Sequence, residues 1–372
     1  MSDLALPNEI ITDVAVGVIE QADGQILFGQ RPEGKPWSGW WELPGGKLEP
    51  GETATEALKR ELKEELGIEV TDSRPWVTRV HRYPTTTVRL AFHRVTGWLG
   101  EPRGLENQAL RWLSPAIALQ TEDLLPATYP PLRWLTFPEI YAISSVCAAQ
   151  ANEHIHTPFQ AQSNAEFKFE FEFEPNITSS THIVTDPATD LIAERATQIG
   201  LFLRKLERGL ANGIKLLQWR EPGWSNEDTL HEQTFKTTLS LCHQAGARVL
   251  VNSVHPQAWW HMADGVHLRQ RDATSLQKRP ELPASHWVAV STHNTDELNH
   301  ARDLEADFVT LSPVQATTSH PNAKVLGWPG FSLLQAQAGV PVYALGGLSP
   351  NDLFLARRFG AHGVAGIGQF LT

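Results

Sequence analysis

Three glutamates, Glu61, Glu64 and Glu65, stand close together near the end of a segment that reads GKLEPGETATEALKRELKEELGI from Gly46 to Ile68. At roughly 100° per residue of helix, Ala54, Ala57, Leu58, Glu61 and Glu65 share one side, with Glu64 beside them. Glu56, Lys59 and Lys63 face the other way. The inward face is therefore apolar in its first turns and acidic in its last. A merely solvated charged helix would turn those glutamates away from the apolar side. Carboxylates clustered beside a core repel one another unless a cation sits among them. Hard oxygen donors of this kind suit Mg²⁺ or Mn²⁺, and such a cation would hold a diphosphate.

The elements that position these groups follow from local signals. Thr53 with Glu56 forms a capping-box start and Gly67 an expected stop, which predicts a helix over Ala54–Leu66. Ile11 to Ile19 and Gln25 to Gly29 read as strands separated by Asp23-Gly24, and Trp76 to Arg82, Thr86 to Val95 and Ala109 to Leu113 as further strands. Pro131 to Phe137 reads as a short closing helix stopped by Pro138. These elements make a small mixed sheet with helices around it, an α/β/α domain over residues 9–140. Residues 141–180 read as a linker: QANEHIHTPFQAQSN is polar and aperiodic, and FKFEFEFEP alternates with period two, as an edge strand or an extended tether would. From 181 to 372, eight short apolar runs (THIVTD, IKLLQWRE, RVLVNS, DGVHLRQ, WVAVSTH, FVTLSPV, VYALGG and GVAGIG) alternate with helical intervals. That rhythm predicts a parallel (β/α)₈ TIM barrel, so the fold class is α/β throughout, with the last outer helix missing or reduced to a stub.

Composition narrows the functions. Apolar residues make up 41% and charged residues 20% of the 372, an ordinary globular balance. The formal net charge of −11 argues against a nucleic-acid polymer as partner. Cys147 and Cys242 are far apart and lack metal-ligand spacing. With no membrane-length apolar run and no basic-then-apolar start, a cytoplasmic location is expected.

Gly46, Glu52, Arg60, Glu61, Glu64, Glu65 and Gly67, with aliphatic Leu62 and Ile68, match the Nudix box at every spacing. The chain over about residues 12–136 resembles the Nudix hydrolases, and its surroundings look most like the MutT type, which cleaves 8-oxo-dGTP to the monophosphate and pyrophosphate. The resemblance implies that Gly45 offers a backbone carbonyl to the metal, that Glu61, Glu64 and Glu65 supply carboxylates, and that Glu106, in GLEN, helps position metal or water. It implies nucleotide contacts from Arg31 and from the strand edge Glu42-Leu43-Pro44-Gly45. Carboxylate-held Mg²⁺, or Mn²⁺, would neutralise the phosphates and activate water. Glu61, Glu65 and Glu106 are the candidates for taking the water proton. Glu52 and Arg60, complementary in charge and not needed as ligands, are expected to pair and orient the loop. Two positions depart from the type: Thr128 stands where an asparagine reads the oxidised purine, and Thr86 near a second arginine contact. A hydroxyl cannot present the paired donor and acceptor of an amide. The expected activity is therefore hydrolysis of a nucleoside triphosphate, 8-oxo-dGTP or related, with a thiamine-pathway diphosphate as the alternative. Trp37, Trp40 and Trp41 are either core or a stacking surface for a base.

IVTDP, QWRE, VLVNS, ADGVHLRQRD, VAVSTHN, SPVQATTSHP and YALGG give residues 181–371 a resemblance to thiamine phosphate synthase and its TenI relatives. It implies a site made of Gln218, Arg220, Asn252, Asp272, Ser291 and Thr317, with Gly346-Gly347 and Ile367-Gly368 as phosphate-binding turns. His293 matches the histidine of the thiazole tautomerases. Pro222, Ser253 and His320 replace a lysine, a metal-binding aspartate and a diphosphate-binding lysine of the synthase. A thiazole or pyrimidine phosphate is the implied ligand, held with or without catalysis.

Overall fold

The computed structural model describes residues 10–146, 187–317 and 323–371. In the first domain, β1 (Ile11–Ile19) is the centre. It pairs in parallel with β6 (Thr87–Leu99) and antiparallel with β4 (Gly45–Lys47), and β5 (Glu69–Arg82) completes the order β4-β1-β6-β5. A second sheet of order β3-β2-β7 comprises β2 (Ile26–Gln30), β3 (Trp41–Glu42) and β7 (Leu110–Leu113). Helix α1 spans Ala54–Leu66, with both arms of the Thr53–Glu56 capping box made and Gly67 left-handed at φ 71°. Its buried Ala57, Leu58, Leu62 and Leu66 pack on Ala15, Ile19, Val70 and Val95. Two short helices, α2 (Pro115–Ala118) and α3 (Tyr129–Trp134), close the domain.

The second domain is a closed, all-parallel eight-stranded barrel. Its strands are β8 (Ile140–Ile143), β9 (Leu216–Trp219), β10 (Arg248–Asn252), β11 (Gly265–Leu268), β12 (Trp287–Thr292), β13 (Phe308–Leu311), β14 (Val342–Leu345) and β15 (Gly363–Gly366). Helix α4 (Pro187–Ala211) precedes β9, and among the described residues the turn Gln369–Leu371 follows β15. Strand one differs from the expectation. THIVTD and FKFEFEFEP lie outside the described residues, and the strand between β15 and β9 is Ile140–Ile143, on the boundary drawn between first domain and linker. The boundary at 140–141 thus runs through a barrel strand. IYAI is short and apolar, with no period that assigns it to one domain or the other.

The domains are packed, not merely tethered. Trp76, Phe92 and Trp134 join Phe137, Trp287, Phe308 and Tyr343 in one buried cluster at the N-terminal end of the barrel strands. Polar contacts pin the seam: Arg133 to Asp307 at 2.8 Å, Arg357 to Glu139, and the Tyr343 hydroxyl donating to the Pro138 carbonyl. The first domain therefore stoppers one end of the barrel and leaves the C-terminal end, where barrel sites form, on the far side.

Candidate active site

The acidic face of α1 meets a loop in which Gly45 admits no side chain and Gly46 none without displacing Glu61. A Cβ on Gly46 would lie 2.1 Å from the Glu61 carboxyl carbon, and one on Gly45, at φ 146°, 2.1 Å from the Ala15 carbonyl oxygen. The loop is thus pressed against both β1 and the helix carboxylates. Arg60 fixes its far side, with Nε and Nη2 each 2.8 Å from the two Glu52 oxygens and Nη2 donating to the Lys47 carbonyl. The expected Glu52–Arg60 pair is therefore made. Its remaining arm reaches Glu61 at 2.8 Å and Glu64 at 3.3 Å.

Among the described residues no ion pair is made to Glu65, though the charge of Lys35 acts on it. Its Oε2 accepts from the Gly45 amide at 3.2 Å. Burial, with Glu106, Glu42 and Glu61 nearby, pushes its carboxyl up to about 7. Glu106 faces Glu65 across one cleft that also includes Lys35, Glu42, Gly45 and Gln108. Lys35 Nζ sits 2.7 Å from Glu106, and Gln108 donates to the Glu65 carbonyl while accepting from the Glu106 amide. Arg31 is 2.5 Å from Glu42 and donates from Nε to the Pro36 carbonyl. Burial still holds the Glu42 carboxyl above its ordinary range.

Among the described residues, no group of three or more carboxylates, imidazoles or thiols converges on a single point. The donor set nevertheless fits a hard divalent cation. Six carboxylates (Glu42, Glu52, Glu61, Glu64, Glu65 and Glu106) meet three cations (Arg31, Lys35 and Arg60). Three of the six stand on α1, and among them burial makes Glu65 hard to ionise without a cation.

Leu43 and Pro44 are buried in the strand edge, and the Pro44 carbonyl accepts from Gly17. Thr128 is only 4% exposed, in the turn Pro126–Thr128, and does not line the cleft. The tryptophans divide. Trp41 is core, under Arg111 at 4.4 Å, whereas Trp37 is 40% exposed and edge-on to Trp40 at 4.7 Å. Lys35 and Gln108 were missed by the sequence reading. Their neighbourhood to Glu106 in GLENQ and to the Arg31 loop was the available signal.

At the C-terminal end of the barrel, Gln218 and Asn252 are buried and linked, with Asn252 donating to Gln218 at 2.9 Å and Gln218 to the Tyr141 hydroxyl at 3.1 Å. Tyr141 and Ser291 flank His267 at 3.0 and 2.8 Å. His293 is exposed and held at 2.8 Å by Glu297 in the first turn of its own helix. Thr317 is half-buried in the loop after β13, and His320 lies outside the described residues. Gly346 and Gly347, at φ 103° and 67°, pass so close to Pro313 and Ala316 that a side chain would collide. Glu221, another group the sequence reading passed over, is buried. It accepts from Ser144 Oγ at 2.6 Å and from the Val146 amide, and burial pushes its carboxyl up to about 7.

Comparison with known proteins also divides the chain into two parts, with β8 outside both matched ranges. A family model described as NUDIX domain matches residues 11–135, and one described as thiamine monophosphate synthase matches residues 184–370. Over the first part the chain is 42% identical to the 8-oxo-dGTP diphosphatase of Haemophilus influenzae, covering 28% of this chain and 76% of that protein. It is 41% identical to the CTP pyrophosphohydrolase of Escherichia coli, covering 32% and 86%. Over the second part it is 33% identical to the putative thiamine-phosphate synthase 2 of Aquifex aeolicus, covering 46% and 90%. The chain spans about half the length of a Synechococcus thiamine-phosphate synthase that it matches at 31% identity.

Proposed function

The chain belongs to the Nudix family through its first domain and to the thiamine monophosphate synthase family through its second, and on that premise we propose a Mg²⁺-dependent hydrolase that cleaves nucleoside triphosphates to monophosphate and pyrophosphate. The observation that carries this reading is the Glu65 carboxylate, held by the Gly45 amide and lining one cleft with Glu106. Glu61, Glu64, Glu65 and the Gly45 carbonyl would hold the metal, with Glu106 at its edge. When bound, Mg²⁺ would neutralise the phosphates and lower the pKa of water. The protein's own part is to place the ligands rigidly, through the Arg60–Glu52 pair and the capped helix. One of Glu61, Glu65 and Glu106 would take the proton of the attacking water. Arg31 and Lys35 bring positive charge to the phosphate side, and exposed Trp37 offers the base a face on which to stack. Mn²⁺ would serve in place of Mg²⁺.

The substrate in this reading is 8-oxo-dGTP or a related nucleotide, in keeping with nucleotide-pool sanitation. The buried Thr128 provides no amide for the oxidised purine edge. The second domain is read as a holder of a thiazole or pyrimidine phosphate at its C-terminal end. Pro222 and Ser253 leave it without a cation and a carboxylate that expulsion of pyrophosphate would require. The test is a panel of 8-oxo-dGTP, the four dNTPs, CTP and thiamine diphosphate with Mg²⁺, products resolved by ion exchange. Monophosphate and pyrophosphate from a triphosphate is the expected result. Cleavage confined to thiamine diphosphate would overturn it.

A further inference from the structure

Asp272, the carboxylate of the implied barrel site and the one left there to hold a metal once Ser253 replaces the other, is already neutralised from within. Its Oδ2 accepts from Arg269 Nε at 2.5 Å and from Ser253 Oγ at 2.5 Å, and Arg271 Nε stands 3.7 Å from Oδ1. Ser253 Oγ in turn accepts from the Arg269 backbone amide at 2.9 Å. The hydroxyl thus spends its proton on Asp272 and a lone pair on Arg269, closing the group on itself.

The surroundings reinforce this. Arg220 lies close enough to Arg269 for the two charges to oppose each other, and both act on His255, which burial pushes down to about 3. The other carboxylate here, Glu221, is turned inward to Ser144 and Val146. A divalent cation would find one carboxylate already paired, a neutral hydroxyl and three guanidinium groups. At the first-domain cleft the sign is opposite, with the six carboxylates named above against three cations. The barrel mouth repels what the first domain attracts.

We propose that Arg269 stands in for a divalent cation at the mouth of the barrel, so that this domain meets a phosphorylated ligand without a metal. This uses the reading of that end as a phosphate site, but metal counting does not depend on turnover or on the first domain's substrate.

The experiment counts Mn²⁺ by electron paramagnetic resonance on the full chain carrying Glu61→Gln and Glu65→Gln, with and without Asp272→Asn. No difference in bound Mn²⁺ between the two is expected. A site of one Mn²⁺ per chain that disappears with Asp272→Asn would overturn the proposal. Adding Arg269→Gly with Ser253→Asp is expected to create that one site. Arg269→Ala with Ser253→Asp serves the same end should the glycine variant fail to fold. If a folded variant of either kind still binds no Mn²⁺ at Asp272, Arg269 is not what excludes the metal.

Discussion

The indole N–H of Trp76, on β5 of the first domain, donates to Nδ1 of His362, 286 residues away at the foot of β15, at 3.3 Å. Nε2 of the same ring, 3.0 Å from the Phe137 carbonyl, must then carry the proton, so the imidazole is neutral and both nitrogens are occupied. The Trp76 carbonyl accepts from Gln335 as well, so one residue ties the Nudix sheet to two places in the barrel. Trp76→Ala should cost about 3–5 kcal/mol, the range for deleting a buried aromatic. It should lower the melting temperature of both domains together in calorimetry. Two well-separated transitions in the parent chain would show that the seam does not couple them.

Cutting the chain within residues 147–186 is expected to leave the pieces bound to each other. The first piece would retain Ile140–Ile143, which pairs with β15 and β9 on either side, together with the aromatic cluster of the seam. Size-exclusion chromatography of the nicked protein should show one species of unchanged size. Separation into a free Nudix fragment and a free barrel would contradict the packing.

Acid should weaken the fold earlier than carboxylate titration alone would do. Burial holds His255, His267 and His362 down to about 3 and His93 to about 4. The unfolded chain binds protons on these rings near 6.5 and the folded chain does not, so their contribution is intact above about 6.5 and falls away toward 3. Each fully buried ring steepens the loss by about 1.4 kcal/mol per pH unit. Urea midpoints should show no loss from these rings between pH 7.5 and 6.5 and fall between pH 6.5 and 5, and His362→Gln should flatten that fall. A flat profile above pH 5 would mean the rings are solvated.

Metal binding on α1 should be linked to a proton. The Glu65 carboxyl, raised to about 7 mainly by burial, must ionise before it can serve as a ligand. Mn²⁺ affinity should therefore rise up to about ten-fold per unit below pH 7 and level off above 8, and Glu65→Gln should abolish that dependence. Equal affinity at pH 6 and 8 would place Glu65 outside the metal shell.

What the sequence disclosed was local. Helix α1 was legible because its cap, stop and face are set by residues within a few positions, and its bounds, Ala54 and Leu66, are those expected. The barrel rhythm was legible for strands whose apolar runs are separated by helices. The start of β5 was not, since Pro75 and the register shifts between Val70 and Val77 break its alternation. Nor was β8, whose identity depends on partners distant along the chain. The Lys35–Glu106 pair joins residues 71 positions apart and needed the fold to bring them together. Thr128 shows the limit of spacing alone, which can align a position with a base contact but cannot give its depth.

The central claim is that the acidic end of α1 is the hydrolytic centre. It is tested most directly by steady-state pyrophosphate release from the preferred triphosphate at millimolar Mg²⁺, comparing the parent chain with Glu61→Gln and Glu65→Gln. Each replacement keeps the cap and the helix length while removing one anionic oxygen donor, so circular dichroism should be unchanged. Turnover is predicted to fall by at least a hundred-fold in each, about 2.7 kcal/mol of transition-state stabilisation. Turnover near that of the parent in both variants would contradict the assignment.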